Sequence, residues 1–297
     1  MTDSARAKSV RSYVESRPDL ARQLEFFQQL WTAQDGFTAR AATYEPASED
    51  ETQRALASHR TLFSLVPPEL PIDAYRDAVR AIAALMTDAG LPEEQAAALA
   101  EADLAGAITD ESLSGALDGF DVFVQTVAAR LADDRLGETL LAFILTEAMT
   151  PFLREPAKAA VKAAGKFDWL RWDSGLCPAC GTPASSGVVR DEGEMQGGRR
   201  WLECPLCRTT WEYARLRCVR CGTREQTKLG YLFDEQDPGH RINTCESCHA
   251  YTPTVFERDL KRISVPEVEE IVMVPLAAVA ADRGFTPLGD KTNERPN

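Results

Sequence analysis

The sequence predicts an α-helical domain joined to a small metal-bound β region: an N-terminal helical bundle, two tandem four-cysteine knuckle domains and a short helical tail. Three observations carry this reading. The first 165 residues are rich in Ala and Leu, hold no Cys, and repeat apolar residues at helical spacing. All 8 Cys fall between positions 177 and 248, in four Cys-x-x-Cys pairs. From Val265 onward an acidic, apolar-periodic pattern returns. The expected units are 1–165 (helical), 166–214 and 215–262 (one four-cysteine domain each) and 263–297 (tail).

In the first unit Leu20, Leu24, Phe27 and Trp31 share one helical face, as do Tyr75, Val79, Ile82 and Met86. Phe120, Phe123, Val124 and Val127 make a third stripe, and Leu141, Ile144, Leu145 and Ala148 a fourth. Such stripes serve a core more often than a cofactor. Ser48 with Glu51 fits a capping box, and Pro92 before Glu93 and Glu94 fits a first turn. Gly90 and Pro156 sit where helices are expected to break.

Beyond Gly165 the pattern gives way to Gly, Arg, aromatic and Cys residues with short alternating runs such as Arg200-Trp201-Leu202-Glu203, suited to β-ribbons. The pairs are Cys177/Cys180, Cys204/Cys207, Cys218/Cys221 and Cys245/Cys248, and the second two repeat the first two at a constant offset of 41 residues. Each copy therefore offers four sulfurs, the ligand count of one tetrahedral ion. The expected sites are Cys177, Cys180, Cys204 and Cys207 for one ion, and Cys218, Cys221, Cys245 and Cys248 for the other. Gly181 and Gly222 follow two of the pairs, where a left-handed backbone turns loop amides toward sulfur. Thioredoxin-like chemistry would need a single Cys-x-x-Cys opening a helix, and iron–sulfur clusters a tighter run of cysteines. Cys245-Glu-Ser-Cys-His249 matches the c-type haem string but is also the fourth member of the repeat. Zinc and iron both accept tetrahedral sulfur, and spacing does not separate them.

The net charge is −13, concentrated in the helical unit: residues 1–169 hold 16 Lys and Arg against 27 Asp and Glu, whereas 170–262 hold 14 against 13. An acidic chain has no overall attraction to nucleic acid, so none is expected as a partner. The arginines between Arg199 and Arg224, interleaved with Trp201, Trp211 and Tyr213, suit a docking face for another protein or neutralisation of thiolates better than base stacking. The apolar stretch Ile271–Ala281 has 11 residues and contains Pro275, too short to span a bilayer. The first ten residues lack the apolar core of a secretory signal, which predicts a cytoplasmic protein with reduced thiols. No Walker A, Gly-x-Gly-x-x-Gly, His-Glu-x-x-His or Gly-x-Ser-x-Gly string is present, so no catalytic residue is nominated. His59 reads as a surface or capping residue, and His249 as an exposed loop residue or a donor behind Cys248. Homo-oligomerisation is left open.

The cysteine region resembles the formate dehydrogenase accessory proteins called FdhE. The resemblance rests on Cys177-Pro-Ala-Cys-Gly-Thr-Pro-Ala-Ser-Ser186, Arg200-Trp-Leu-Glu-Cys-Pro-Leu-Cys207 with Trp211, Arg217-Cys-Val-Arg-Cys221, and Cys245-Glu-Ser-Cys248 with Tyr251. The tail ending in Arg283-Gly-Phe285 is also similar, while the helical unit matches only in length and character. Thr252-Pro253 departs from the Leu-Lys of some relatives. The resemblance implies rubredoxin-like cysteine domains, iron rather than zinc at two mononuclear sites, and no enzymatic activity. It further implies a maturation factor that binds the catalytic subunit of respiratory formate dehydrogenase before export. The rivals are a zinc-ribbon nucleic-acid-binding protein and a rubredoxin-like electron carrier.

Overall fold

A computed structural model describes residues 3–191, 198–260 and 264–289; the expected boundary at 262/263 lies outside them. The stripe of Leu20, which caps α2 (Ala21–Thr38), and Leu24 and Trp31 within it is buried, but it does not face the centre of the bundle. It packs against Val10 and Tyr13 of α1 (Asp3–Ser16) and Val268 and Val272 of α10 (Pro266–Val272). The tail thus closes over the first two helices.

The main core gathers around α9 (Glu138–Ala163), against which α5 (Ile72–Thr87) and α8 (Phe120–Leu131) lay the stripes that the sequence marks. The shorter α3 (Glu49–Ala57), α4 (Leu62–Leu65), α6 (Glu93–Glu101) and α7 (Asp110–Ser114) fill its margins. Ser48 forms the expected capping box: its Oγ accepts from Glu51 N at 3.4 Å, and its own N–H donates to the Glu51 carboxylate at 3.2 Å. Gly90, at φ +86°, does end a helical stretch.

Pro156 does not. α9 runs 26 residues through both Pro151 and Pro156. A proline removes the N–H that would bond to the carbonyl four residues back. For Pro151 that carbonyl is Glu147 O, and the fully buried Gln34 of α2 donates Nε2 to it at 2.9 Å. The orphaned acceptor is satisfied from a neighbouring helix, and α9 continues.

Six strands, β1 (Ser186–Arg190), β2 (Arg199–Glu203), β3 (Thr210–Tyr213), β4 (Leu229–Asp234), β5 (Asp237–Cys245) and β6 (Tyr251–Phe256), form one sheet in the order β3-β2-β1-β6-β5-β4. The 41-residue repeat is visible here: it maps β1 onto β4, β2 onto β5 and β3 onto β6. Each copy is an antiparallel meander, and the two are joined by a parallel pair, Val188 opposite Val255 and Val189 opposite Phe256. Gly175 backs directly onto Val219 of the second copy, with its Cβ position 2.3 Å from Val219 O, so only glycine fits there.

The bundle core continues into the first copy. Phe167, Trp172, Cys177 and Trp211 belong to the same apolar cluster as Phe152 and Leu153 of α9. α11 (Val274–Asp282), which Pro275 opens, caps the other face of the sheet with Ala280 and the following Phe285, together with the preceding Met273, against Ile242 and Val255. The tail is therefore two short helices, one on the bundle and one on the sheet. No helix among the described residues is long and apolar enough to cross a membrane.

Candidate metal centre

Each Cys-x-x-Cys pair closes a tight loop with the same backbone bonds. Cys177 N donates to Thr182 O, Cys204 N to Thr209 O, Cys218 N to Thr223 O and Cys245 N to Ala250 O, at 2.8 to 3.0 Å. The residue after the second cysteine is left-handed in all four: Gly181 (φ +83°), Arg208 (+59°), Gly222 (+71°) and His249 (+51°). The sequence marks two of these turns by glycine. The other two carry side chains in a strained region, held there by the loop around them.

The eight sulfurs assemble into the two expected sets. Within Cys177, Cys180, Cys204 and Cys207, and within Cys218, Cys221, Cys245 and Cys248, all Sγ atoms lie within 4.8 Å of one another. Cys177 and Cys207 are 3.5 Å apart, as are Cys180 and Cys204; Cys218 and Cys248 are 3.6 Å apart, and Cys221 and Cys245 3.7 Å. Disulfide sulfurs would sit near ~2.0 Å. A tetrahedron with metal–sulfur bonds of about 2.3 Å has edges of about 3.8 Å, so each set fits one ion without rearrangement. Burial holds the Cys177 and Cys204 thiols well above their ordinary range, whereas Cys180, hydrogen-bonded by Cys177, is pushed well below it. All four sulfurs of a set can be thiolates at this spacing only with a cation between them.

The two sets differ in setting. Cys177 and Cys204 are fully buried, and the first loop is gripped by α4, where Leu62 N donates to Pro178 O at 2.8 Å and Phe63 N to Ala179 O at 2.9 Å. Thr182 and Thr209 hydroxyls lie 3.3 and 3.2 Å from the Cys180 and Cys207 sulfurs. Arg208 is enclosed by Glu203 at 3.5 Å and Glu270 of α10 at 3.0 Å, tying this site to the tail. At the second site Cys221 is exposed and Cys248 half-buried, while Cys218 and Cys245, the latter at the end of β5, are buried.

The arginine-aromatic segment is not one surface. Trp211 and Tyr213 are buried, with Tyr213 donating to Cys218 O at 2.8 Å and Trp211 Nε1 to Ser174 O at 3.0 Å. Neither can stack on a base. Arg200 is buried as well, and Arg217 pairs with Asp173, while Arg199, Arg215 and Arg224 stay exposed. The exposed aromatics are instead Tyr231 and Phe233 of β4. His249 is exposed with its ring against Phe285, and His59 is exposed with its ring near Trp172.

Sequence reasoning missed a buried ionisable group. His240 of β5, 3% exposed, faces Asp237 through Nδ1 at 2.7 Å and Glu269 of α10 through Nε2 at 2.8 Å; Tyr13 of α1 also donates to Glu269. These carboxylates raise the imidazole to about 9 against the opposing effect of burial. Its alternation with Ile242 along β5 was the one local sign that it faces inward.

A helical body that carries two tetrathiolate cradles on one continuous sheet defines the class of protein. Residues 176–215 match the family model described as FdhE, central domain, so the resemblance drawn from the cysteine pairs is borne out. The chain is similar to the Protein FdhE homolog of Aquifex aeolicus, 29% identical over 164 residues that cover 54% of this chain and 55% of that one. It is also similar to that of Pseudomonas aeruginosa, 35% identical over 161 residues covering 48% of each. The matches thus span about half the length of these curated relatives. The crystal structure of the FdhE protein from Pseudomonas aeruginosa superimposes with a TM-score of 0.61 at 18% identity, covering 99% of this chain and 95% of that one, and shows the shared fold.

Proposed function

We propose that the chain is a non-catalytic, metal-binding accessory factor for formate dehydrogenase, which binds the catalytic subunit in the cytoplasm before export. The observation that supports this reading is the pair of preformed tetrathiolate cradles within an FdhE-like fold. Cys177, Cys180, Cys204 and Cys207 hold one mononuclear ion, and Cys218, Cys221, Cys245 and Cys248 the other; iron is the metal expected, with zinc the alternative. The division into units at 1–165, 166–214, 215–262 and 263–297 belongs to the same proposal, and limited proteolysis tests it. The client docks on the exposed side of the second copy, where Arg215, Leu216, Tyr231 and Phe233 meet solvent.

Metal analysis of protein purified without oxygen should give two ions per chain, and capture of the formate dehydrogenase catalytic subunit should weaken in Tyr231→Ala/Phe233→Ala without change in metal. Capture that survives these changes but fails when Asp133 and Asp134 are altered would move docking to the bundle. Absence of capture by the wild type would overturn the client assignment.

A further inference from the structure

Beside the second cysteine set a cavity of about 370 Å³ lies between the sheet and the loop 215–219. Four arginines line it, Arg200, Arg215, Arg217 and Arg241, and none of the described lining residues is acidic, in a chain of net charge −13. Arg217 is paired with Asp173, and Arg241 with Asp259 while it stacks on Phe256 at 4.0 Å.

Arg200 is different. It is 3% exposed, and no carboxylate among the described residues reaches it. Its Nη1 donates weakly to Arg217 O at 3.4 Å, and its Nε and Nη2 have no hydrogen-bond partner. A buried guanidinium with idle donors is costly, because desolvation is not repaid. Burial also lowers its affinity for its proton, to about 10. Val189, Val219, Leu229 and Phe256 give the wall an apolar part, and Asn243 and Gln226 supply neutral donors. The cavity does not depend on chance loop positions, since Tyr213 pins the loop through Cys218 O.

We propose that this cavity binds a small organic anion, an oxyanion carried on an apolar body, with Arg200 as the buried anchor and Arg215 at the mouth. The Arg200 guanidinium carries Nε and Nη2 as a matched pair of idle donors for two oxygens of a phosphate or carboxylate; both are buried, so binding turns the side chain toward the ligand, and the apolar part of the wall receives the rest. The cavity shares a wall with the second cysteine set, since Cys218 and Cys245 both line it.

Isothermal titration of the full-length, metal-loaded chain with phenyl phosphate tests this. One molecule per chain should bind, phenol should not bind detectably, and inorganic phosphate should bind at least tenfold more weakly. Arg200→Gln should weaken phenyl phosphate at least tenfold with both ions retained. Arg215→Glu, at an exposed position, should weaken it severalfold and reduce its salt dependence, with the thermal midpoint and both ions checked alongside. If Arg200→Gln fails to fold, Arg215→Glu decides: unchanged affinity overturns the proposal. Inorganic phosphate binding as tightly as phenyl phosphate would overturn the assignment to an organic anion. Loss of the second ion in Arg200→Gln, with wild-type binding in Arg215→Glu, would assign Arg200 to the sulfurs instead.

Discussion

Replacing His240 by Gln removes the charge from a buried junction of three elements, the β5 strand, α1 and α10. In the folded chain the imidazole is raised from its ordinary value of about 6.5 to about 9 by Asp237 and Glu269. A group whose folded value lies above its unfolded one stabilises the fold fully below the unfolded value, and that contribution disappears as pH rises through the folded one. The shift corresponds to roughly 3 kcal/mol, since each unit is worth about 1.4 kcal/mol. Wild-type stability from urea unfolding should therefore fall by roughly this amount between about pH 6 and about pH 10 from this group alone. In His240→Gln, Glu269 keeps Tyr13 but loses its cation at a site 1% exposed, so the variant should be weaker by roughly 3 kcal/mol at the acid end. At the alkaline end the two proteins should converge. Parallel stability curves across this range would refute the reasoning, because other titrating groups are common to both proteins and cancel in the difference.

Competition with a strong chelator should release metal in two phases, the ion at Cys221 first, because that sulfur is exposed while Cys177 and Cys204 are fully buried; a single phase for both ions would contradict the inequivalence. Cys204→Ser/Cys207→Ser should lose one ion and lower the thermal midpoint of the helical signal as well, since coordination supplies on the order of 10 kcal/mol and α4 is bonded to this loop; an unchanged midpoint would show that the bundle stands alone. Ser48→Ala should cost about 1 kcal/mol by urea unfolding, and no measurable change would mean that the capping box is idle.

The cysteine geometry was legible because it is written as a repeat: four pairs at one offset leave little freedom once each pair closes a loop. Helix faces were legible for the same reason, periodicity being local. What stayed hidden depends on partners far away in the chain. Pro156 read as a break, yet α9 runs through it and through Pro151, whose orphaned acceptor Glu147 O is met by Gln34 from 113 residues earlier. Trp211, Tyr213 and Arg200 read as surface anchors by composition; Trp211 is buried because the bundle core continues onto it, while Tyr213 and Arg200 bond to the loop 215–219, through Cys218 O and Arg217 O. The stripe at Leu20, Leu24 and Trp31 was found, but the tail that covers it comes from the opposite end of the sequence.

The parallel seam between β1 and β6 is a head-to-tail joint: the strand that opens the first copy receives the strand that closes the second. Such a joint does not close on itself, so a further copy could in principle add at either end, as in a growing filament. The outer strands oppose this. The segment Trp169–Arg171 packs beside β3, and β4 carries Gly230 and a register shift between Phe233 and Asp234 that spoils its regularity as a template. A chain that ends after the first copy would instead present β1 bare, a ready acceptor for β6 of an intact neighbour, and co-expression of that fragment with the whole protein should yield strand-exchanged polymers.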